Sequence, residues 1–156
     1  MIAGEGALVP ETGAEIAAEM FRVRLTMDQF ELYFSRLSAK FAKTEEYDEQ
    51  GFDSPIAWIK ANCHMSGGAA ADRICAGEQL DRLDRSEAAV LAGEIGFAHF
   101  AHIARASAAV GERLDESTLL RHARKESVGF RETWIHVRLT PKGSSRKRSW
   151  AWRCES

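Results

Sequence analysis

The sequence predicts an all-α protein, a long N-terminal amphipathic helix packed on a compact module of four to five short helices. Three observations carry this prediction. Apolar residues recur at alternating spacings of four and three through the first forty residues. Helix caps and glycine stops then follow one another from Ser54 to Gly111 with almost no loop between them. Nothing in the chain alternates polar and apolar side chains as a half-buried strand does.

Residues 1–13 contain Gly4, Gly6, Pro10 and Gly13 and are expected to form a flexible N-terminus. The long helix is expected over about 14–47. Ile16, Met20, Val23, Met27, Phe30, Phe34, Leu37 and Phe41 form an unbroken heptad seam along it. At 1.5 Å per residue such a helix is a rod of about 50 Å, longer than a small helical domain needs for cover. Two occupants of the seam stay open, the chain's own module and a second copy in a homodimer. The aromatic side chains at positions 30, 34 and 41 favour irregular packing over a regular two-stranded zipper.

Glu45–Asp53 reads as an acidic connector broken at Gly51. Ser54 is placed to cap the next helix, with Pro55 at its first position and Trp58 and Ile59 as its apolar contacts. Ser66 caps a helix expected over Gly67–Leu83, buried through Ala70, Ile74, Ala76 or Gly77, and Leu80. The small residues Ala69, Ala70, Ala71, Ala76 and Gly77 permit close approach of a neighbouring helix. Asp84 and Glu87 have the spacing of a capping box, and Gly93 ends that short helix. Gly96–Val110 is the following helix, closed by Gly111, and Asp115 caps a last one running toward Val128. The helical domain is thus expected over 14–138, with 139–156 (LTPKGSSRKRSWAWRCES) a disordered basic tail.

The chain has 156 residues, 45% hydrophobic and 28% charged, a balance that suits one globular domain. Its start, MIAGEGALVP, lacks the basic and apolar regions of a secretory signal, and no run is long enough to span a bilayer. Three widely spaced cysteines, Cys63, Cys75 and Cys154, fit reduced thiols and a cytoplasmic location without membrane partners. The net charge of −2 conceals a division. Residues 1–120 carry 11 Lys and Arg against 20 Asp and Glu, a net of −9, and residues 121–156 carry 10 against 3, a net of +7.

Chemistry-bearing patterns are few. His99 and His102 are three apart on a helix, with Cys63, His64 and Cys75 nearby, yet no Cys-x-x-Cys or His-Glu-x-x-His pattern occurs. Their setting between Phe97, Phe100 and Ile103 reads as semi-buried core. Arg121, Arg124, Lys125, Arg131 and Arg138, with His122 and His136 among them, form a basic cluster able to contact nucleic-acid phosphates. The same pattern also describes the polar side of a terminal helix. A helix–turn–helix reading of Ala69–Leu80 would expose Asp72, Arg73, Glu78, Gln79, Asp81 and Arg82, a net negative surface that phosphates repel. No nucleophile elbow, P-loop or dinucleotide fingerprint occurs, so no catalytic residue, metal or cofactor is expected.

Several blocks from Asp53 onward resemble a bacterial family, domain of unknown function 222. The matching residues are Ser54-Pro55-Ile56-Ala57-Trp58, Met65-Ser66 with Ala69-Ala70, Gly77-Glu78-Gln79-Leu80 and Ala92-Gly93-Glu94-Ile95. Leu119-Leu120 with Ala123-Arg124-Lys125-Glu126-Ser127-Val128-Gly129-Phe130 matches as well. That family forms the N-terminal region of HNH-endonuclease-like proteins, including the thirteen-E-twelve repeat proteins. The resemblance implies a non-catalytic helical domain for positioning or dimerisation, with the metal, the cutting and any nucleic-acid contact residing in the full-length parent. Nothing after Leu139 resembles the HNH module. Written with GC-rich codons and read from the third base, Leu139–Arg148 becomes Asp-Pro-Glu-Gly-Phe-Val-Glu-Glu-Glu, which is similar to the family's continuation. The end is therefore expected to be an out-of-frame tail on a truncated reading. A free-standing helical protein-interaction module and a non-specific nucleic-acid binder acting through the basic end are the alternatives.

Overall fold

In a computed structural model the described residues are 12–125, and they form seven α-helices: α1 Gly13–Phe41, α2 Glu46–Glu49, α3 Pro55–Asn62, α4 Gly67–Gln79, α5 Asp84–Leu91, α6 Phe97–Val110 and α7 Glu116–Ala123. Short 3-10 turns at Leu80–Arg82 and Gly111–Arg113 extend α4 and α6, and no strand occurs among the described residues. The expected all-α class is therefore what this chain adopts.

Local chemistry explains most helix ends. Thr12 Oγ1 accepts from the backbone N–H of Glu15, and the Glu15 carboxylate accepts from the Thr12 N–H, a reciprocal capping box that opens α1. Ser54, Ser66 and Asp115 cap α3, α4 and α7 through the backbone N–H groups of Ala57, Ala69 and Thr118. Gly93 and Gly111 sit at φ +73° and +60°, where a side chain would strain the backbone, and they close α5 and α6.

Four boundaries differ from expectation, the last helix among them, since α7 ends at Ala123 instead of running toward Val128. The long helix stops at Phe41 rather than near Tyr47, and the connector holds the short α2. The helix from Gly67 ends at Gln79 and continues as a 3-10 turn instead of running to Leu83. Asp84 is the first helical residue of α5 and makes no cap; Leu83 occupies the cap position. Long-range partners account for the difference at Asp84. Glu87 receives a hydrogen bond from Arg36 on α1. Glu116 on α7 accepts from both the N–H and the hydroxyl of Ser86, each at 2.8 Å, and so caps α5 from outside.

The main core gathers Leu32 of α1, Ala76 and Leu80 from α4 and its turn, Val90 of α5, Phe97, Phe100 and Ile103 of α6, and Leu120 of α7. A second cluster centres on Ile59, Ala70 and Ile74, with Phe34, Phe41, Trp58 and Met65 packed against it. Trp58 lies 4.5 Å from Phe41 between ring centroids and donates its indole N–H to Gln50. The small residues of α4 do allow close approach, since α4 crosses α1 where Gly77 meets Ser35 and Ala39. Arg73 locks that crossing with two hydrogen bonds to Glu31, at 2.7 and 3.0 Å, and stacks over the Phe97 ring.

Candidate interaction surface

The long helix carries two stripes. The docked one runs through Leu25, Asp28, Leu32, Ser35 and Ala39, spaced three and four apart, and all but the half-buried Leu25 are buried. It is mixed in polarity. Ser38, beside it, donates its hydroxyl to the Phe34 carbonyl, and Arg24 pairs with the buried Asp28. At 100° per residue the heptad seam lies about 150° around the helix from this stripe. Packing of the whole seam on its own module is thus replaced by packing of a different stripe.

The seam itself divides. Phe34 and Phe41 are half-buried against the second core cluster, so the module takes these two. Ile16, Met20, Val23, Met27, Phe30 and Leu37 stay exposed; Met20 is 68% and Phe30 67% accessible. Tyr33 adds exposed surface at its edge, whereas the exposed Phe21 continues the docked stripe one turn before Leu25 and reaches toward Gly93. Residues 13–24 also overhang the module, exposed at every position except the half-buried Glu19. A contiguous apolar stripe of this length is unusual on a monomer.

The remaining sequence candidates are distributed differently. Arg121, Arg124 and Lys125 are all exposed on and just after α7, and Arg124 donates to Glu94 at 2.6 Å across the surface. Arg131 and Arg138, with His136, lie outside the described residues, as does the tail from Leu139. The surface expected of Ala69–Leu80 is only partly free. Asp72 accepts from Arg105, Arg73 binds Glu31 and Gln79 accepts from Ser107, so these three side chains face neighbouring helices.

His99 Nδ1 accepts from the Gly96 N–H at the start of α6, and His102, buried, lies 2.6 Å from the Arg105 guanidinium. Cys63 is half-buried and Cys75 buried. Among the described residues no three His, Cys, Asp or Glu side chains converge as a metal site would require, and no helix is long and apolar enough to cross a membrane. No family model, curated protein or solved structure matches the chain.

Proposed function

We propose that this chain is a non-catalytic helical docking module, acting through the exposed heptad seam of α1, of the kind that precedes the nuclease in the HNH-endonuclease-like family it resembles. The carrying observation is that Ile16, Met20, Val23, Met27, Phe30 and Leu37 are all exposed on one face of a helix whose other face is already docked. A helix of matching heptad spacing is the ligand such a face fits, because 3.5-residue periodicity keeps two apolar stripes in register over several turns. Its role would be positioning or assembly of the parent chain. The histidines that resemble metal ligands are committed within α6, which supports a scaffold rather than a reaction centre.

The test uses a fluorescent peptide of residues 13–41 as the probe helix and the full chain as receptor. Saturable binding that Phe30→Glu in the receptor abolishes is expected, with the far-ultraviolet circular dichroism of the variant unchanged. Absence of binding, or equal binding to the variant, would overturn the reading. Plasmid incubated with pure protein and Mg²⁺, Mn²⁺ or Zn²⁺ should remain uncut, and reproducible cleavage would remove the non-catalytic part.

A further inference from the structure

Resting on that reading of the seam, we infer that its occupant is a second copy of this chain, paired antiparallel so that residue numbers facing one another sum to about 57. Three features of the sequence on this helix select the arrangement. In this register Met20 faces Leu37, Met27 faces Phe30, and Phe34 faces Val23, so each aromatic ring meets an aliphatic or thioether side chain. Thioether sulfur against an aromatic edge is itself a favourable contact. A parallel pair would instead set Phe30 on Phe30 and Phe34 on Phe34, two bulky layers in succession, which the narrow seam of a two-stranded coil accommodates poorly.

Charge agrees with volume. Antiparallel pairing brings Arg24 of each copy toward Glu31 of the other, and Glu19 toward Lys40, so all four flanking approaches are attractive. Glu31 already holds Arg73, and Arg24 already holds Asp28, so the new contacts extend existing ion-pair networks. A slip by one heptad sets Arg24 against Arg24, which repels. The register is therefore specified by sign as well as by size. The docked stripe faces away from the seam, leaving the partner helix an open approach along residues 16–30 and at Leu37, while Phe34 is half-buried at the edge of the module. The overhanging turns of each copy, residues 13–24, would lie along the module-bearing half of the other, with Ile16 reaching the Phe41–Trp58 pair.

The experiment uses the full chain with its three cysteines replaced and a spin label at Ala17→Cys, after circular dichroism and melting show an unchanged fold. Sedimentation should give a concentration-dependent dimer that Phe30→Glu converts to monomer. Pulsed electron resonance on the dimer should give a label separation of about 35 Å, because residue 17 then lies opposite residue 40, some 23 helical rises away. A separation under about 20 Å would mean parallel strands and overturn the inference while leaving the docking reading intact. Lys40→Glu should weaken the dimer about fivefold, and Glu19→Lys together with Lys40→Glu should restore it; a parallel pair would ignore Lys40→Glu. A monomer at every concentration overturns the inference. If it still binds the probe helix, the docking reading survives with another partner. If it does not bind, and Met20 and Met27 resist radical oxidation, the seam is covered by the chain's own residues outside 12–125, and both readings fall.

Discussion

Gly77 of α4 lies directly on the backbone of Ser35 in α1: a Cβ built on Gly77 would stand 1.9 Å from the Ser35 carbonyl oxygen and 2.7 Å from Ala39 Cβ. No flexible side-chain end is available to move aside, so a methyl group forces the two helices apart. In an isolated helix Gly→Ala gains about 1 kcal/mol, while overpacking costs about 1–3 kcal/mol and more against rigid backbone. The second effect should win. Gly77→Ala is expected to destabilise the chain by about 2 kcal/mol in urea denaturation, and a variant as stable as the parent would contradict the close crossing.

The same crossing buries the Ser35 hydroxyl, fully inaccessible and without a hydrogen-bond partner among the described residues. An unpaired buried hydroxyl loses its water and gains nothing in return. Ser35→Ala should therefore raise stability by about 1 kcal/mol, read as a shift of the denaturation midpoint. A clear loss would show that the hydroxyl has a partner after all.

Glu116 holds both the N–H and the hydroxyl of Ser86, a side chain with no accessible surface. Glu116→Ala leaves two buried donors unpaired and should cost about 2 kcal/mol, whereas Glu116→Gln keeps an accepting oxygen and should cost clearly less. Hydrogen exchange at the start of α5 should accelerate in the alanine variant. Equal exchange in the two variants would mean that the carboxylate does not cap this helix.

Asp115 provides the only prediction in which acid is the variable. The Thr118 hydroxyl and then its backbone N–H donate to the Asp115 carboxylate and hold its pKa below the usual aspartate value. A carboxyl depressed in the folded state contributes stability above its unfolded pKa, about 3.9, and loses it as pH falls through the folded value. The melting-temperature difference between the parent and Asp115→Asn should be constant from pH 7 to about 5 and shrink below about pH 4. A difference that grows in acid would reverse the assignment.

What the sequence made legible was local. Ser54, Ser66 and Asp115 each cap a backbone N–H three residues on, so their roles can be read from neighbours alone. Thr12 and Glu15 follow the same rule, yet the breakers Pro10 and Gly13 around them suggest a terminus. Asp84 and Glu87 show the opposite case. Their spacing suits a capping box, but Glu87 is taken by Arg36, which lies fifty-one positions away, and the real cap comes from Glu116. The docked stripe of α1 was hidden because Asp28 and Ser35 interrupt its hydrophobicity, while the stripe that looks most like a core faces solvent. Heptad spacing therefore picked out a stripe of which Ile16, Met20, Val23, Met27, Phe30 and Leu37 are exposed. It could not say whether the chain's own helices would cover it, since that depends on which stripe Gly77 lets α4 approach.

The overhang at the start of α1 also divides one helix into two kinetic populations. From Leu25 onward, the helix is docked on the module through one stripe, and its amides should exchange mainly when that docking opens. From Gly13 to Arg24 the helix is about 18 Å of backbone with little scaffold beyond Phe21 beside Gly93, a length at which isolated helices are marginal in water. Its amides should open independently, with a protection that rises with total protein concentration if pairing is what orders them. Deuterium uptake along a single helix would then report association as a step near residue 25, without any label or mutation.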